Sequence, residues 1–129
     1  MLLRDQDTSV DALAAFGLQA AKLLCAGDFS ALAKSLGYLR KFERDPAAAL
    51  QTDLLRCLSD LQASCLDAAS LPDPRVSYFQ PNNSPGLFAL VEQYIPTDNG
   101  KDVLLELVVM GWGSEKQLYI EDISAFRLV

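Results

Sequence analysis

The sequence predicts an α+β fold, with three N-terminal helices packed on a C-terminal curved antiparallel sheet of about four strands. Three observations predict it. Residues 8–69 carry apolar side chains at helical spacing. From Arg75 onward the apolar residues gather in short runs rich in Leu, Val, Ile, Phe and Tyr. Two turn clusters, PTDNGKD and GWGSEK, separate the three runs between Gly86 and Phe126, as an antiparallel meander requires. Residues 1–129 read as one domain, long enough to bury a core without metal or disulfide support.

Residues 1–7 read as a loose leader. Thr8-Ser9-Val10-Asp11 has the spacing of a capping box, with an acid in the last place. A helix is predicted from about Ser9 to Ala26. Its apolar stripe is Val10, Leu13, Ala14, Gly17, Ala20, Ala21 and Leu24, and Gly27 stands where a left-handed residue ends a helix. Asp28 caps a second helix, FSALAKSLGYLRKFER, with Phe29, Leu32, Leu36 and Leu39 on its buried side. Gly37 interrupts that pattern and either ends a shorter helix or permits close packing. Asp45-Pro46 opens a third helix, PAAALQTDLLRCLSDLQASCL, which buries Leu50, Leu54, Cys57, Leu58, Leu61 and Cys65. It ends by Ala69.

Leu71-Pro72-Asp73-Pro74 is a stiff connector. Strands are predicted at Arg75–Gln80, Leu87–Ile95, Asp102–Met110 and Gln117–Phe126, within a sheet part spanning residues 75–129. The two central strands are apolar on both faces, interrupted only by Glu92, Gln93 and Glu106. A sheet with one wet face alternates more cleanly. The second face is therefore expected to meet a partner, with a ligand or the C-terminal tail as alternatives.

The formal charge is −6 and the pI about 4.5. Residues 1–70 carry net −2 and residues 71–129 net −4, so acidity is denser in the sheet half. Such a surface repels nucleic acid and anionic membrane and favours basic partners, although solubility alone also accounts for it. The N-terminus lacks the apolar segment of a signal peptide, and no apolar run is long enough to span a membrane, so a cytoplasmic protein is the expectation. Cys25, Cys57 and Cys65 have no zinc-site spacing and are expected as buried free thiols of a reducing compartment.

The chain has no histidine, which removes the commonest general base and metal ligand and every Ser-His or Cys-His pair. Gly111-Trp112-Gly113 leads into a strand and is a turn, not a phosphate cradle. No cofactor and no metal is expected. Glu92 and Glu106 are the one carboxylate pair with mechanistic interest. A Pro96–Lys101 turn of one length sets them opposite each other, and repulsion would then raise one pKa. A strict two-residue Asn99-Gly100 turn instead opposes Glu92 to Leu107. Glu121 and Asp122 are adjacent on the last strand, so at most one is expected in any site. Trp112 is either exposed at a loop tip, as binding residues are, or folded back on the sheet. Arg40, Lys41 and Arg44, interleaved with acids, read as a solvated helix face.

Two resemblances follow. Ala26-Gly27-Asp28-Phe29-Ser30-Ala31-Leu32 resembles the turn between helices in the cystatin-like or nuclear-transport-factor-like cone fold, and Leu118-Tyr119-Ile120-Glu121-Asp122-Ile123 resembles its closing strand. That implies a curved meander over nearly the whole chain. Enzymes of the class place His, Asp or Tyr inside the cone, and here histidine is missing. In size, acidity and want of a catalytic set, the chain is similar to bacterial toxin immunity proteins. That likeness implies a non-catalytic protein that binds a basic toxin. The residues themselves, acids on the strands and a lone Trp between glycines, give Glu92, Glu106, Trp112, Glu121 and Asp122 as the expected contacts. The alternatives are a cone-fold enzyme or ligand carrier using Glu92 or Glu106 near Tyr94, and a structural homodimer with sheet packed on sheet.

Overall fold

The computed structural model describes residues 1–38, 45–81, 83–112 and 115–126, with the Trp112 side chain outside that set. The expected α+β architecture is present. Helices α1 (Val10–Cys25), α2 (Phe29–Leu36) and α3 (Pro46–Asp60) lie on one face of a curled five-stranded antiparallel sheet. Its strands are β1 (Leu2–Leu3), β2 (Arg75–Tyr78), β3 (Leu87–Pro96), β4 (Asp102–Trp112) and β5 (Glu115–Phe126), in the order β1-β5-β4-β3-β2.

The fifth strand corrects the expectation of a loose leader. Leu2 and Leu3 pair with Gln117 and Lys116, Leu118 N–H donates to the Met1 carbonyl at 2.8 Å, and Leu3 is buried. Two residues are too few to show a period, so this strand has no sequence signature. The α1 cap also moves by one residue. The Ser9 hydroxyl accepts from Ala12 N–H at 3.2 Å, while Thr8 donates to the Asp5 carbonyl. Val10, expected in the buried stripe, stands exposed in the first turn. The far end is as predicted. Gly27 has φ +72°, and Gly27 and Asp28 donate to Leu24 and Leu23 in a Schellman arrangement.

Gly37 (φ +75°) ends α2 after Leu36, so of the two expected outcomes the shorter helix forms and the run to Arg44 does not continue it. The chain there turns strand-like. Ile120 N–H donates to the Gly37 carbonyl at 3.0 Å, and Tyr38 bridges to Ile120. Leu39, Arg40, Lys41 and Arg44 lie outside the described residues. Helix α3 ends at Asp60, short of the predicted stop. Gln62 takes φ +56°, and Ala63 N–H closes back onto the Leu58 carbonyl. Leu61 is fully buried, but Cys65, beyond the helix, is exposed rather than buried.

The core lies between the helices and the inner sheet face. Leu13, Leu24, Leu32, Leu50 and Leu61 meet Val91, Ile95, Leu105, Leu107, Leu118 and Ile120, all fully or almost fully buried. Helix α1 approaches β3 closely because position 17 is glycine: a Cβ there would stand 2.9 Å from Val91 Cγ1. Gln93 points into this core. Its Nε2 donates to the Pro72 carbonyl at 2.8 Å and to the Tyr94 carbonyl at 3.0 Å, which ties the proline connector to the sheet. No described helix is long and apolar enough to cross a membrane.

Candidate interaction face

The hairpin between β3 and β4 decides the candidate site. Thr97 N–H donates to the Lys101 carbonyl at 2.8 Å, and Gly100 takes φ +83°. This is a three-residue loop, Asp98-Asn99-Gly100, with glycine in the left-handed place. It opposes Pro96 to Asp102 and therefore Glu92 to Glu106. The strict two-residue alternative does not occur.

Along β3, burial alternates from Phe88 onward. Ala89, Val91, Gln93 and Ile95 are buried against the helices, while Leu90, Glu92, Tyr94 and Pro96 are half-buried on the other face. That outer face continues through Leu104, Glu106, Val108 and Met110 of β4 and Tyr119 and Phe126 of β5. Tyr94 and Phe126 meet edge to face at 4.9 Å. Among the described residues, Val108 is the one of this face that is buried. Among the described residues no helix packs on it, so the sheet is apolar on both faces and helix-covered on one.

A charged row crosses this face. Arg75 lies opposite Glu92, Glu92 opposite Glu106, and Glu106 opposite Asp122. At β5 the register shifts, so that Glu106 pairs with Asp122 and Leu107 with Ile120. Glu121 is the extra residue of a β-bulge, and two acids stand against the single Glu106. The expectation that only one of Glu121 and Asp122 could join a site assumed unbroken alternation, which the bulge removes. Asp122 Oδ1 accepts from Ile123 N–H at 2.9 Å, and its charge reaches Tyr38 and Cys57. It therefore stands at the boundary between this face and the core.

Trp112 is the last residue of β4 and pairs with Glu115, so its backbone belongs to a strand and not to a loop tip. It lies six residues from Glu106, about 20 Å along the strand. The structure thus gathers Glu92, Glu106, Glu121 and Asp122 and leaves Trp112 at the other end. Near that end is a groove of about 410 Å³ between Pro85, Gly86, Met110, Glu115, Gln117 and Tyr119. The Tyr119 hydroxyl donates to Gln117 Oε1 at 2.6 Å on its wall. Sequence reasoning missed Arg75 and this groove. Only the strand register reveals either, because both are assembled from separate strands.

A second polar cluster lies under α3. Asp53, 4% exposed, accepts from the Tyr38 hydroxyl at 2.7 Å and from the Arg56 guanidinium. Burial first, then the Asp53 carboxylate, push the Tyr38 hydroxyl far above its ordinary range. Burial pushes the Cys57 thiol up to about 11, so it is held as a thiol that donates to the Ile123 carbonyl. Both features describe a satisfied structural network. No group of three or more potential metal ligands forms among the described residues. Comparison with protein-family models, with curated proteins and with solved structures returns no match to this chain.

Proposed function

We propose that this chain is a non-catalytic protein-binding domain, of the immunity-protein kind, that applies its outer sheet face to a basic toxin. The supporting observation is the outer face itself. It offers Leu90, Tyr94, Leu104, Met110 and Tyr119 at half burial, crossed by Glu92 and Glu106 with Glu121 and Asp122 at the bulge. In such an interface the apolar residues supply affinity, and the acids steer a basic partner and set its register. A cone-fold enzyme using the same carboxylates would need them to converge in an enclosed cavity. The groove found on this face among the described residues lies at Met110, about 13 Å along β4 from Glu106.

Co-expression with the product of the neighbouring gene tests the proposal. The expected result is that the neighbour alone arrests growth, that this chain restores it, and that the two co-purify. Glu92→Lys with Glu106→Lys should abolish protection while leaving the chain folded. A neighbour that is harmless and does not bind would sink the reading.

A further inference from the structure

We propose that two copies of this chain pair antiparallel through the open edge of β2, with Ser77 on the two-fold axis. The proposal is independent of the toxin reading, because it uses the edge of the sheet and leaves the outer face free.

The sheet ends at β2, and among the described residues no strand lies beyond it. Phe79 N–H donates to the Phe88 carbonyl at 2.9 Å, so the backbone groups of Arg75, Ser77 and Phe79 point toward β3. By antiparallel alternation, Val76 and Tyr78 point their N–H and C=O groups away from the sheet. Arg75, Ser77, Tyr78 and Phe79 are all exposed, the two rings at 46% and 39%. An edge with outward backbone groups and exposed aromatic rings is a template for a further strand.

The segment Arg75-Val76-Ser77-Tyr78-Phe79 is complementary to itself in the register those groups impose. Val76 must exchange both hydrogen bonds with Tyr78 of the second copy, and Tyr78 with its Val76. Ser77 then faces Ser77 of the second copy. Arg75 lies opposite Phe79 of the second copy, twice by symmetry, with the guanidinium within reach of the ring face. Val76 beside Tyr78 of the second copy is a favourable cross-strand pair of a branched and an aromatic side chain. A shift of two residues one way brings Pro74 opposite Tyr78 in a hydrogen-bonded place, where proline has no N–H to donate; a shift the other way sets Tyr78 against Tyr78 and Arg75 against Pro81, and so loses both the Val76–Tyr78 and the Arg75–Phe79 pairs. Pro74, opposite Gln80 of the second copy, ends the pairing after five residues, so it is short, and the two-fold axis consumes both β2 edges. Association therefore closes at two copies, and the two outer faces join into one ten-stranded surface.

Ser77 would be a non-hydrogen-bonded pair across the axis, with Cα atoms about 4.5 Å apart, within disulfide reach. The test is Ser77→Cys in a Cys65→Ser background, which removes the exposed native thiol. Under oxidised glutathione it should form a covalent dimer at least about tenfold faster than Gln80→Cys in the same background, because pairing raises the effective thiol concentration. Two copies of Gln80 would stand about 20 Å apart in this register. Light scattering on the natural sequence should show the mass of two copies as concentration rises, and Val76→Pro should return it to one with unchanged circular dichroism. Ser77→Cys that crosslinks no faster than Gln80→Cys overturns the proposal. So does a dimer by mass in which Ser77→Cys does not crosslink, since the contact then lies elsewhere.

Discussion

Asn99, in the turn between β3 and β4, donates from Nδ2 to the Leu61 carbonyl at 2.8 Å and to the Gln62 carbonyl at 3.1 Å. The hairpin loop is thereby the C-terminal cap of α3. Asn99 Oδ1 also accepts from Thr97 Oγ1 at 2.7 Å and from Lys101 N–H at 3.2 Å, which holds the loop that sets Glu92 against Glu106. One side chain thus joins the end of a helix to the register of the candidate interaction face.

Asn99→Ala should destabilise the fold by about 1.5–3 kcal/mol, since it removes several hydrogen bonds and leaves the Leu61 carbonyl only the longer contact at 3.5 Å from Lys101 Nζ. Urea unfolding measures this as a lower midpoint at unchanged slope. A loss within experimental error would show that water replaces the amide at no cost.

Gln62 holds φ +56° at the end of α3, a conformation that costs a residue with a Cβ about 1–2 kcal/mol. Gln62 is exposed, so its side chain is dispensable. Gln62→Gly should raise stability by about 0.5–1 kcal/mol, net of the extra entropy glycine loses on folding. The check is a rise in thermal midpoint; a fall would mean that the Gln62 side chain contributes a contact of its own.

Gly17→Ala is expected to destabilise despite alanine's better helix propensity. The propensity gain is about 1 kcal/mol, but the new methyl meets Val91 Cγ1 at 2.9 Å and Pro74 Cγ at 3.1 Å. Overpacking of that kind costs about 1–3 kcal/mol. Adding Val91→Ala should recover part of the Gly17→Ala loss, and a double-mutant cycle with no coupling would refute the contact.

Asp98 is held below the ordinary carboxylate pKa, chiefly by the Ser64 N–H that donates to it at 2.9 Å and secondarily by Cys65 N–H. A lowered folded pKa means that the unfolded chain binds the proton more tightly. The stabilisation is complete above the ordinary value near about 4 and is lost as pH falls through the lowered one. Asp98→Asn should flatten the stability profile in that acid window and leave the shape above it unchanged. Chemical denaturation at a series of pH values gives the comparison, and parallel profiles for both proteins would dismiss the role.

The Glu92–Glu106 pairing shows how far the sequence could be read toward the site. Both residues were legible as interruptions of apolar strands, but the turn chemistry admitted two registers. Arg75 could not be placed beside them, because strand pairing is a relation between distant segments. Gln93 was legible only as a third interruption, next to Glu92. One residue along the strand was enough to send it to the opposite face, where it binds the Pro72 carbonyl.

By itself the sequence determined the α+β class, the caps at Asp28 and Asp45, the glycine stop at Gly27 and the extent of the long strands. Those features depend on neighbours within a few residues, where spacing and side-chain type act directly. Only the tertiary structure decided that Leu2–Leu3 complete the sheet, that Gln62 rather than a glycine ends α3, and that a bulge at Glu121 groups the acids. Each of these trades a local preference for a contact between distant segments, and the strength of such a contact is set by packing that no short stretch of sequence contains.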